Sequence, residues 1–162
     1  MSNRLRTAAF AVAAAIPLSL LAPGTAGATG GGYNYPPPPP PTTGDEGCTP
    51  GYWKNHKSAW DGLKPTQRVK SVFSGADRTL ANATLLQALS FTGGSGVVGA
   101  ERILLRAAVA ALLNAKDADV DYALTVSQIR KQVSAALATD NRQTMLDLAA
   151  SLDRLNNAGC PL

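Results

Sequence analysis

Gly47-Cys48-Thr49-Pro50-Gly51-Tyr52-Trp53-Lys54-Asn55-His56-Lys57-Ser58-Ala59-Trp60 holds both tryptophans, the only histidine and one of the two cysteines of this 162-residue chain. The other cysteine stands almost at the far end, in Asn157-Ala158-Gly159-Cys160-Pro161-Leu162. In an oxidising compartment an isolated pair is a structural disulfide more often than a metal or redox site, with two free thiols as the alternative. A Cys48–Cys160 bond would tie the aromatic stretch to the end of the chain and enclose everything between. The fold expected is all-α, a single compact bundle of about six helices closed by one disulfide.

The compartment is read from the first residues. Arg4 and Arg6 precede an apolar run from Thr7 to Ala22, and Ala26-Gly27-Ala28 fits the small-x-small pattern of a signal-peptidase site. Residues 1–28 are therefore expected to be a signal peptide, cleaved near Ala28, and the mature chain to be secreted with no membrane span. Residues 29–46 read as an extended tether. Gly30-Gly31-Gly32 is flexible, whereas Pro36 to Pro41 adopts the polyproline helix, spanning roughly 19 Å at about 3.1 Å per residue. Tyr33 and Tyr35 flank those prolines, so the segment is either a stiff spacer or a proline-rich ligand. The remaining span, 47–162, reads as one domain.

Charge excludes one class of partner. The chain carries 15 basic and 11 acidic residues, but Arg4 and Arg6 leave with the signal, so the mature balance is 13 against 11. The basic residues are scattered, and nucleic-acid binding has no electrostatic footprint.

Helical signals follow one another from Cys48. Thr49 is a cap with Pro50 at the first helical position, and Asp61-Gly62 is expected to end that helix. Short helical pieces are expected from Pro65 to Phe73 and from Thr79 to Phe91. The segment 97–114 is apolar nearly all round, which calls for burial on several sides. Thr125 with Gln128 forms a capping-box pair, and a last helix is expected to open at Asp140 with Gln143 in the reciprocal position.

Candidate sites are few. Trp53, His56, Lys57 and Trp60 are spaced i, i+3, i+4 and i+7, so one continuous helix would carry them on one face. With Tyr52, that face would be an aromatic platform for a sugar ring or a peptide; the competing account has the tryptophans sealing the core. Asp117, Asp119 and Asp121 alternate as in a calcium loop, but Tyr122 and Gln128 stand where an EF-hand needs Gly and Glu. They remain only a weak metal candidate. Gly94-Ser95-Gly96-Val97-Val98-Gly99 matches G-x-G-x-x-G, yet a helix precedes it where a dinucleotide fold needs a strand, and no cofactor is expected. No catalytic constellation is legible, since Ser95 lacks the nucleophile-elbow context and nothing local pairs carboxylates.

The opening 47–56, the run Leu104-Leu105-Arg106-Ala107-Ala108-Val109-Ala110-Ala111-Leu112-Leu113-Asn114 and the ending 156–162 together resemble a type of exported bacterial domain. The resemblance implies secretion and a bounded module, and brings no catalytic residues. The function expected is a secreted or cell-surface structural or interaction module without catalytic activity, whose partner is a cell-wall or extracellular polymer or a protein. A carbohydrate- or peptide-binding domain and an enzyme of unrecognised type are the alternatives. Asn82-Ala83-Thr84 has the form of a glycosylation sequon.

Overall fold

The computed structural model describes residues 44–162; the expected signal peptide and all but the last residues of the tether lie outside the described residues. Six α-helices occur among the described residues: α1 Pro50–Asn55, α2 Arg78–Ala81, α3 Leu85–Ala88, α4 Gly96–Asn114, α5 Val126–Ala138 and α6 Arg142–Asn156. Short 3-10 turns occupy Lys57–Ala59 and Val69–Ser71. No strand is present among the described residues, only isolated bridges such as Gly47 to Gly159 and Asp45 to Tyr122. The all-α, disulfide-closed bundle is therefore what residues 44–162 form.

α4 is the axis. Leu104, Leu105, Ala108, Val109, Ala110, Ala111 and Leu112 are all fully buried, as an all-round apolar helix requires. α6 runs along it with the longest seam, and α1, α3 and α5 pack on its remaining sides. α5 contributes Ile129 and Val133, and α6 contributes Met145, Ala149 and Leu152, each set at helical spacing.

Four helix boundaries differ from expectation, three of them where a hydrogen bond outranks the periodic pattern. The first helix stops at Asn55, not Asp61, and His56 turns out of helical geometry at φ −110° and ψ 58°. The Trp60 indole N–H donates to Trp53 O at 2.9 Å, occupying the carbonyl that a continuing helix would offer to the Lys57 N–H. The segment 65–73 forms only a 3-10 turn. The span Thr79 to Phe91 splits in two because Thr84 begins a new capping box with Gln87. Val69 N–H also bonds Ala83 O, and Leu85 N–H bonds Gln67 O, so the backbone at the break is already paired. α6 is capped by Asn141, whose side chain accepts from Thr144 N–H, while Asp140 takes a left-handed φ of 49°.

The G-x-G-x-x-G match has a steric reading. A Cβ on Gly99 would stand 2.1 Å from Gly94 O, and Gly96 has φ 73°. Arg142 donates to Gly94 O at 3.3 Å and to Gly96 O at 2.6 Å, fastening the loop to α6.

Glu101 is buried at 4% exposure on the first turns of α4, where its Oε1 accepts the Asp77 N–H at 2.7 Å. Burial pushes its carboxyl above the usual range; the Asp77 N–H opposes this, and the charges of Asp77 and Asp140 add to it. A carboxyl raised on folding stabilises the fold below its ordinary 4.5, and that contribution is lost as pH rises through the folded value. Glu101→Gln keeps the acceptor without the charge. Its melting temperature should match wild type in acid and exceed it increasingly toward neutral pH; a constant gap across that range would remove this account.

Candidate functional site

The end of the bundle where the Cys48 and Cys160 segments meet is built around two buried amides. Asn114, the last residue of α4, and Asn156, the last of α6, are both fully buried. Asn114 Oδ1 accepts from Cys48 N–H at 2.8 Å and from the Trp53 indole N–H at 2.9 Å. Its Nδ2 donates to Cys48 O at 2.9 Å and to Asn156 Oδ1 at 3.0 Å. All four hydrogen-bonding positions of one side chain are thus filled. Asn156 in turn donates to Ala107 O at 3.0 Å and accepts from Tyr122 OH at 2.8 Å. Burial pushes the Tyr122 phenol well above its ordinary range, so it remains a donor.

This network and the disulfide hold one junction. Cys48 and Cys160 are bonded, with Cα atoms 4.5 Å apart. Gly47 N–H reaches Gly159 O at 2.7 Å, and a Cβ on Gly47 would stand 2.1 Å from Leu155 O. The chain before Cys48 is also held: Glu46 N–H bonds Asp121 O, and Asp121 N–H bonds the Glu46 carboxylate at 2.7 Å.

The expected aromatic platform is distributed differently. Trp53 is 0% and Trp60 9% exposed, and both indole N–H groups point to acceptors inside the protein. The break at His56 removes the single helical face that the spacing implied. Tyr52 is half-buried, meets Trp53 edge-on with centroids 5.2 Å apart, and stacks on His56 at 4.0 Å and 14°. His56 and Lys57 are exposed, and His56 Nδ1 lies 2.9 Å from Tyr52 O. What faces solvent is a Tyr52–His56 stack with Lys57 following in the chain, and the indoles lie beneath.

Asp117, Asp119 and Asp121 do not converge. Asp117 accepts the Asp119 N–H at 3.0 Å and Asp121 is engaged with Glu46. Among the described residues no three His, Cys, Asp or Glu side chains are grouped so that they could hold a metal ion. No helix of the described residues is long and apolar enough to cross a membrane.

Sequence reasoning missed Asn114 and Asn156. The available signal was a lone amide closing an apolar helix, beside the helix-end Asn156-Asn157 pair. Such residues read as caps unless the partner 66 positions away is known.

The chain matches the model of the protodermal factor 1 C-terminal domain over residues 48–160, more than half its length, and belongs to that family. The matched span begins on one cysteine of the disulfide and ends on the other. This corrects the expected kinship with an exported bacterial domain: the family is a plant one. That expectation rested on three short stretches, whereas the match covers the whole disulfide-closed span. No curated protein and no solved structure matches the chain.

Proposed function

For this member of the protodermal factor 1 C-terminal domain family, we propose a non-catalytic module that is exported and acts by contact outside the cell. The observation that carries the reading is how its reactive and aromatic residues are used. Both cysteines, the Trp53 indole and the buried amides are committed to joining the Cys48 segment to α4 and the Cys160 segment, and the Trp60 indole to Trp53 O. The only histidine is exposed beside a tyrosine and bonded to a backbone carbonyl. Export is supported by the leader-like residues 1–28 and by a disulfide that persists in oxidising surroundings. The proline-rich residues 29–46 would then carry the domain at a distance from its attachment.

Tryptophan fluorescence tests the structural assignment of the indoles. Acrylamide should quench the native protein several-fold less than the urea-unfolded protein. Equal quenching in the two states would return the indoles to a binding role. The contact role itself is tested by retention of the purified chain on cell-wall polymers and surface proteins; no retention on any of them would defeat it.

A second reading is favoured by one feature, the stacked Tyr52–His56 pair on the outside of α1. With Lys57 it offers a ring surface, a hydrogen-bonding nitrogen and a cation to a carbohydrate or peptide. Tyr52→Ala that folds normally but loses retention would establish it.

A further inference from the structure

Two cavities of about 220 and 340 Å³ adjoin at Arg106 and Asp153, which line both. Ile103, Leu146 and Ala150 make the smaller one an apolar recess between α4 and α6. Lys54 and Asn157 bring polar groups to the larger, beside the start of α1. Cavities of this combined size fall in the range of small-molecule sites, about 300 to 1,000 Å³. At the junction, Arg106 Nε is sealed from solvent and has no hydrogen-bond partner among the described residues. Buried donors are almost always paired, so an unpaired one on a charged group needs an explanation.

Because Nε makes no bond to the described residues, swinging the guanidinium toward the trough sacrifices none of their bonds at that atom. The Nε edge of a guanidinium matches a carboxylate with two parallel hydrogen bonds. Charge selects the valence. Lys54 and Arg106 against Asp153 leave one net positive charge in the trough, which complements a monoanion. A phosphate or dicarboxylate would set its second charge against Asp153. The apolar recess beyond Arg106 asks for a hydrocarbon arm.

We propose that this trough binds a small monocarboxylate with an apolar arm, its head on Arg106 near Lys54 and its arm along Ile103, Leu146 and Ala150. The site goes beyond the contact role argued above, shares no residue with the Tyr52–His56 stack, and stands or falls separately from it.

Octanoate is the probe. Titrated into the purified full chain, it should produce saturable shifts in the Arg106 Nε–H and Ala150 methyl resonances. Arg106→Gln should weaken binding by about tenfold or more, the scale of one charge-assisted hydrogen bond. Ala150→Leu, at an exposed position lining the recess, should fill the arm's place and weaken octanoate while the protein melts as wild type. Octanol, with the arm and no charge, should bind about tenfold more weakly than octanoate. The proposal is overturned if no saturable shift appears, if octanol binds as well as octanoate, or if folded Arg106→Gln binds undiminished. Should that variant not fold, the octanol comparison and Lys54→Gln, at an exposed rim position, decide in its place.

Discussion

Replacing Asn114 with aspartate should destabilise the protein by about 4 kcal/mol at neutral pH, the scale expected when several buried partners lose their hydrogen bonds together. The carboxylate keeps the shape and can still accept from Cys48 N–H and the Trp53 indole. It cannot donate, and the oxygen in place of Nδ2 faces Cys48 O and Asn156 Oδ1 at hydrogen-bond distance. A buried carboxylate aimed at two acceptors takes up a proton well above its usual range. Its folded-state pKa would lie above the unfolded one, so the variant should regain stability as pH falls through that value. Asn114→Ala removes both functions and should show no such recovery. Urea unfolding of the two variants in acid and at neutral pH separates them. An aspartate variant within about 1 kcal/mol of wild type, or one whose pH dependence equals that of the alanine variant, would mean the amide is not the junction's keystone.

Removing the disulfide should cost a comparable amount. Cys48 and Cys160 are separated by 112 positions, and chain entropy puts the stabilisation from closing such a loop at about 4 to 5 kcal/mol. The Cys48→Ala/Cys160→Ala double variant should lose a comparable amount in urea unfolding. The loss should be felt first at the junction, because the bond, the Gly47–Gly159 backbone contact and the Asn114 network restrain the same two ends. Hydrogen exchange at Cys48 N–H and the two indoles should therefore accelerate more than exchange in the centre of α4. Uniform acceleration across the bundle would show that the covalent tie acts only through the unfolded state.

How much of this was legible depends on the range of the interaction involved. α4 was readable because its pattern is local: a run of Ala, Leu and Val with few interruptions is buried whatever surrounds it. The Thr125–Gln128 box was readable for the same reason, since both partners lie within one turn. The break at His56 was not, because the competitor for the Trp53 carbonyl is an indole seven residues ahead whose direction depends on the core it enters. The split at Thr84 was hidden by the backbone of residues 67–69, which pairs there only after the chain has folded back. The aromatic face was overread because spacing defines a face only while the helix lasts. The kinship was misplaced because short motifs carry less information than the span between the cysteines.

From residues alone came the all-α class, the Cys48–Cys160 pairing and the central apolar helix, each resting on local periodicity or on having only one possible partner. The assignments of Asn114, Asn156, Trp53, Trp60 and Arg106 required the tertiary structure. Whether an amide caps, bridges or lies exposed, and whether an indole binds or seals, is decided by acceptors brought in from distant positions. Helical spacing carries no record of them.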